Sequence, residues 1–271
     1  MVRYLSVVIF IIFIFTSCEE VINIELNTAN PSLVIEGQLF KDSTCLVRLT
    51  RTASYFSPEE PMFVENARII LYDGTIFDEL HYSGNGIYTG ESIIGTEGKN
   101  YLVEIECEGT IYEGISYMPQ KTDIISLSYS KSQSQSVLNP SGKTVFTITC
   151  RFIDNPDEDN CYMVRFMTDD GMAEDSYYLL TEVKANDGII NKIENVISFS
   201  ESIFYDGGEI EVQVFSIDKS VYNYFLQLND ILFWKRRVMP PTPYNPVSNI
   251  NNGALGYFAA WAYDSELITL E

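Results

Sequence analysis

The chain has one histidine in 271 residues, 17 lysines and arginines against 38 aspartates and glutamates, and two tryptophans. Each shortage excludes something. The net charge of −21 is the wrong sign for neutralising phosphates, so nucleic acid is not an expected partner. The same charge disfavours electrostatic docking on anionic head groups. The lone His81 leaves little room for a hydrolytic base, and no Gly-x-Ser-x-Gly elbow accompanies it. A histidine on a strand surface is the better reading of Phe77-Asp-Glu-Leu-His-Tyr82. The cysteines show no zinc-finger spacing. No apolar run reaches the ~20 residues that a membrane-spanning helix needs.

The longest apolar run is Val7–Phe15, preceded by Arg3 and followed by Thr16-Ser17-Cys18-Glu19-Glu20. A basic start, a short apolar stretch and small residues at its end make a secretory signal peptide. Phe15-Thr-Ser-Cys18 further reads as a lipobox, with Phe15 where leucine is usual. Cys18 is then the lipidation site, because a thiol can carry a thioether-linked diacylglycerol. Residues 1–17 are the expected signal and 18–31 the tether. Glu19-Glu20 is expected to direct the protein to the outer face of an outer membrane; a plain solvated tether is the alternative. Expected localisation is therefore an outer membrane, through the lipid anchor and facing the cell surface.

What is abundant is tyrosine and phenylalanine, 18 and 16 residues, in short alternating runs between turn signals. That composition favours β-sheet. Runs at 33–39, 45–50, 66–72, 77–82, 87–89, 101–107 and 110–117 are spaced like a β-sandwich over residues 32–120. Asp73-Gly74 and Glu108-Gly109 are its hairpin turns. Alternation puts Cys45 inward with Val47 and Leu49, and Cys107 inward with Tyr101, Val103 and Ile105. A Cys45–Cys107 disulfide is one expectation in an oxidising envelope; two buried thiols acting as small hydrophobes is the other.

Residues 121–142, rich in Ser and Gln, are expected as a linker with a domain boundary near 121. A second β-rich domain then runs over 143–271. Phe146, Ile148, Cys150 and Phe152 share one face, as do Tyr162, Val164 and Phe166; this parity turns Cys150 inward and Cys161 outward. Between them, Asp154-Asn-Pro-Asp-Glu-Asp-Asn160 carries four carboxylates in six residues. Asp154, Asp157 and Asp159 could ligate Ca2+ through oxygen, although the spacing is not that of an EF-hand; a solvated acidic turn is the other reading. No other cofactor is expected. One long helix is predicted at about 218–234, with Ser216 as its cap and Val221, Tyr224, Phe225, Leu228 and Leu232 along its apolar stripe. The segment Asn249–Trp261 is a predicted late strand. Gly253 and Gly256 within it suggest positive φ or close backbone approach.

Several segments occur in a characteristic order. They are the acidic-tethered lipobox, Leu33-Val-Ile-Glu-Gly37, Ala67-Arg-Ile-Ile-Leu71, Asp154–Tyr162, Phe204-Tyr-Asp-Gly207 and Asn249-Ile-Asn-Asn-Gly253-Ala-Leu-Gly256-Tyr257-Phe258. Together they resemble the Bacteroidota lipoprotein family called domain of unknown function four-two-four-nine, over nearly the whole mature chain. Cys161 departs from that pattern, where tyrosine is more frequent. The resemblance implies that the N-terminal sandwich is Ig-like or transthyretin-like. It also implies a gene commonly beside a TonB-dependent receptor, hence a role as accessory or substrate-capture partner of that transporter and no enzymatic activity. It supplies no catalytic residues. A stand-alone glycan- or protein-binding module is the alternative, and a hydrolase a further one.

Overall fold

The computed structural model describes residues 31–53, 62–136, 139–153, 159–168, 171–172, 179–183, 190–197, 207–234 and 244–271. The fold is mainly β. The first eight strands are β1 (Leu33–Phe40), β2 (Thr44–Arg51), β3 (Met62–Phe63), β4 (Ala67–Tyr72), β5 (Phe77–Gly84), β6 (Ile87–Ile94), β7 (Asn100–Cys107) and β8 (Thr110–Tyr117). Then come β9 (Ile124–Ser136), β10 (Asn139–Ile153), β11 (Asn160–Thr168), β12 (Gly171–Met172), β13 (Leu179–Val183), β14 (Ile190–Ile197) and β15 (Glu209–Ile217). Helix α1 (Lys219–Trp234) and β16 (Leu255–Thr269) complete the described elements.

Thirteen strands form one mixed sheet whose main path is β12-β11-β15-β16-β1-β2-β6-β5-β4-β7-β8. Its seam is the pairing of the first strand with the last, parallel from Val34 opposite Leu255 to Phe40 opposite Trp261. Parallel strands need a long connection, and here almost the whole chain supplies it. The expected boundary near 121 falls between β8 and β9, yet the sheet is continuous across it through β1 and β16, and residues 31–271 form one compact unit. The expected 121–142 linker holds β9, which pairs with β10. The Ser-rich composition suggests a linker, but Leu127-Ser-Tyr129-Ser-Lys131-Ser alternates with the period of a strand.

Three cores follow from this path. Ile35, Leu39, Val47, Leu49, Ile69, Val103 and Ile105 are fully buried in the first, enclosed by the curled half of the sheet. In the second, Phe146, Ile148, Cys150 and Phe152 of β10 pack against Tyr162, Val164, Phe166, Val212 and Val214. In the third, Val221 and Phe225 of α1 pack on Met163, Phe215, Tyr257 and Trp261. Strands β11, β15 and β16 are thus covered on both faces, which explains the unbroken apolar run Tyr257–Ala262.

The helix begins one residue later than expected, and its cap is Asp218 rather than Ser216. Asp218 Oδ1 accepts from the Ser220 and Val221 N–H groups at 2.8 and 3.0 Å. Aspartate and serine are comparable caps, and here the Asp218 charge also meets the positive end of the helix dipole. Its other oxygen accepts from the Ser116 hydroxyl and from Tyr117 N–H at 3.2 Å, which pins α1 to β8. Cys150 and Cys161 do face opposite ways, but Cys161 is buried as well, because α1 covers the face that parity calls outward.

Candidate functional site

On the face of the sheet that α1 packs against, a pocket of about 280 Å³ opens. Phe40, Phe215 and Tyr263 form its wall, and Lys41, Ser43, Arg165 and Gln213 supply its polar groups. The strand pairings place them. Phe215 lies opposite Tyr263 across β15 and β16, and Arg165 lies opposite Gln213 across β11 and β15. Lys41 and Ser43 come from the turn after β1.

The wall is a ring cluster. Tyr263 stacks on Phe215 with centroids 5.1 Å apart, and Phe40 meets the Tyr263 ring edge-on at 5.9 Å. Behind them Trp261 packs 5.3 Å from Phe40 and 5.5 Å from Phe215. The Arg165 guanidinium sits 4.2 Å from the centre of the Phe215 ring, a cation–π arrangement that orients the side chain. Lys41 pairs with Glu97 at 3.2 Å. Tyr263 is 40% exposed. Chemically the pocket is lined by two cations, the hydroxyls of Ser43 and Tyr263, an amide and one accessible aromatic ring.

The motif residues at 249–258 lie elsewhere and do a structural job. Asn249 Nδ2 donates to the Phe258 carbonyl at 2.7 Å, and Asn249 Oδ1 accepts from the Phe258 N–H at 2.9 Å. One side chain thereby replaces a missing strand partner. Nδ2 also reaches the Ile115 carbonyl at 3.2 Å. Asn251 exchanges bonds with Glu113, its N–H donating to the Glu113 carbonyl at 2.9 Å and its Oδ1 accepting from the Glu113 N–H at 2.7 Å. Asn252 Nδ2 donates to the Ile111 carbonyl at 2.6 Å. The loop thus covers the outer edge of β8, the last strand on the sheet path, where open backbone groups would invite another chain. Gly253 and Gly256 have φ of 77° and 94° as expected, and a Cβ on Gly256 would overlap the Ile35 carbonyl oxygen. Tyr257 donates nothing to the pocket; its hydroxyl accepts from Gln38 Nε2 at 3.0 Å.

Cys45 and Cys107 face one core, as alternation requires, but both are free thiols rather than a disulfide. Alternation selects a face and not an end of the sandwich. Arg51, at the far end of β2 from Cys45, pairs with Glu108 at 2.6 Å, next to Cys107. The two thiols are therefore about a strand length apart, roughly 20 Å at 3.3 Å per residue, where a disulfide needs Cα atoms within about 7 Å. Burial, with the Asp78 charge nearby, pushes the Cys45 thiol up to about 12.

Of the proposed calcium ligands, Asp159 is exposed, and Asp154 and Asp157 lie outside the described residues, as do Cys18 and the tether. Among the described residues, no cluster of three metal-ligating side chains occurs. His81 is exposed on β5. Asp78, next to Phe77 in the same strand, is a residue that sequence reasoning passed over. It is 4% exposed, and its Oδ2 accepts from the N–H groups of Glu91, Ser92 and Ile93 at 3.1, 2.9 and 2.9 Å. Its only sequence signal is parity: it takes an inward position in a strand where an apolar residue would be usual.

The fold and the pocket define a β-rich protein whose mixed sheet carries a pocket with an aromatic wall and polar lining. The model of the family described as Domain of unknown function (DUF4249) matches residues 19–266, and the chain belongs to that family. Comparison with curated proteins gave no match.

Proposed function

We propose that this is a lipid-anchored protein on the outer face of an outer membrane, serving as accessory or substrate-capture partner of a TonB-dependent transporter. The observation that carries the reading is Cys18, placed in Phe15-Thr-Ser-Cys18-Glu-Glu20 behind a short apolar run. The family match begins at residue 19, which supports a mature chain starting at that cysteine. Acylation at Cys18 together with an acylated amino terminus exceeds the two-signal threshold for stable membrane attachment. In this role the protein binds and does not catalyse. The pocket at Tyr263 supports capture over simple capping, because it sits on a sheet braced on both sides and is largely pre-formed.

Two measurements test it. Wild-type protein should fractionate with membranes and the C18S variant should not. A tagged wild-type chain should co-purify a TonB-dependent receptor from its own cells. Membrane attachment without a receptor in repeated purifications would favour the second reading, a stand-alone glycan- or protein-binding module, for which the same pocket is the supporting observation. A soluble chain with an unmodified Cys18 would remove both forms of the anchored reading.

A further inference from the structure

We infer that a row of apolar side chains across the outer face of β5, β4, β7 and β8 is the surface on which the transporter docks, and that the transporter meets it with apolar side chains flanked by lysine or arginine. The inference rests on the transporter reading above and names the contact face, on strands that do not line the pocket.

Strand register builds the row. Phe77 lies opposite Tyr72, Tyr72 opposite Leu102, and Leu102 opposite Ile115. Residues directly opposite share a face. Alternation turns this one to solvent, since Leu71 and Val103 beside them are fully buried. Phe77 is 71% exposed and Ile115 60%, and Ile76 next to Phe77 is exposed as well. Four strands at about 4.8 Å spacing make the row about 14 Å wide. The solvated face of an antiparallel sheet ordinarily carries polar residues, and contiguous exposed apolar groups mark interaction sites. The Tyr72 and Phe77 rings stack 4.5 Å apart with 20° between their planes, so this end of the row is ordered in advance and loses little side-chain entropy on docking.

Charge selects the partner. The next row along the same strands is Glu79, Ile70, Glu104 and Glu113, and Glu106 follows Glu104 on the same face of β7. Arg68 pairs with Glu79 at 3.4 Å, and Asn251 Nδ2 donates to Glu113 at 2.9 Å. Glu104 and Glu106 have no hydrogen-bond or ion-pair partner among the described residues. Unneutralised carboxylates beside exposed apolar groups favour a basic face and repel an acidic one. A second copy of this chain would set those glutamates against their own counterparts. Position disfavours a lipid surface. Leu33, where the chain enters the sheet, lies opposite Arg51, which pairs with Glu108 at 2.6 Å. Leu102 is roughly 17 Å back along β7 from Cys107, so the row lies at the end of the sheet remote from that entry.

The test is co-purification with the tagged full-length lipoprotein from its own cells, with the receptor identified and quantified by mass spectrometry. F77S/I115S should lower receptor recovery at least about tenfold with an unchanged melting temperature, because both side chains are exposed. E104K leaves the apolar row intact and decides the matter should the double change disturb the fold; it should lower recovery too. Recovery by the wild type should fall as salt rises. L267S, a change at another exposed apolar residue, on β16, should leave recovery unchanged. Full recovery by F77S/I115S overturns the docking face while the transporter reading stands. Recovery indifferent to both salt and E104K overturns the basic character of the partner face. An untagged copy of the chain recovered in place of a receptor, or no receptor from the wild type, overturns the assignment together with the transporter reading.

Discussion

Gly37 lies directly opposite Phe258 where the first strand meets the last, and a Cβ on Gly37 would come 2.7 Å from the Phe258 ring. Phe258 is fully buried, so the ring has nowhere cheap to go. This contact joins two segments that look unrelated in the sequence, Leu33–Gly37 and Asn249–Phe258.

The substitution G37A should therefore destabilise the protein by roughly 1–3 kcal/mol through overpacking, even though alanine is a better strand residue than glycine. Urea denaturation measures it. An unchanged midpoint would mean that the seam tolerates a methyl group and that Gly37 serves another purpose.

Asn249 is expected to matter for stability rather than for ligand binding. N249A removes both bonds to Phe258 and the one to Ile115, and should cost roughly 2–3 kcal/mol. N249D keeps the acceptor for the Phe258 N–H but sets a carboxylate against the Phe258 carbonyl, so it should do no better. Hydrogen exchange at Phe258 and along β8 should accelerate in both variants. Normal exchange in both variants would contradict the structural role.

Asp78 holds three consecutive N–H groups of β6 in a buried setting. D78A leaves them without an acceptor and should cost roughly 2–4 kcal/mol. D78N retains one acceptor oxygen and should lose less. Thermal melts of the pair give the order, and the reverse order would mean that the carboxylate is a liability rather than a brace.

The buried thiols set a pH dependence with a definite sign. Burial pushes Cys45 from 9.0 up to about 12, and burial with the charges of Glu266 and Asp264 does the same for Cys150. The unfolded chain gives up these protons first. The thiols' contribution to stability is whole below pH 9 and is lost as pH rises from 9 towards 12. Denaturation midpoints should fall across that range, and less steeply for C45A. Thiol reagents at pH 8 should label neither cysteine until the chain unfolds. Prompt labelling of the native protein would show that these cores open.

Much of the fold was legible because strand periodicity is local. The period-two patterns around Leu33–Phe40, Thr44–Arg51 and Asn100–Cys107 put the correct residues inside. The 3.6 period of Val221, Phe225 and Leu228 marked the helix. Other expectations failed where a local pattern is ambiguous. A serine-rich run reads as linker by composition and as strand by alternation, and β9 shows that alternation decides. Ser216 and Asp218 are both good caps, and the outcome depends on Ser116 and Tyr117 lying within reach of Asp218.

The amino-acid order alone determined the β class, the helix that follows Asp218, the inward face of the strands and the apolar-run-plus-cysteine at the start, since each is written within a short run of neighbouring residues. Only the folded chain decided that Leu33–Phe40 pairs with Leu255–Thr269, that Cys45 and Cys107 sit at opposite ends of one core, and that Lys41 and Arg165 line one pocket with Tyr263. Some of those relations join residues more than two hundred positions apart. They are set by how layers stack and where edges are covered, and no short-range pattern encodes either.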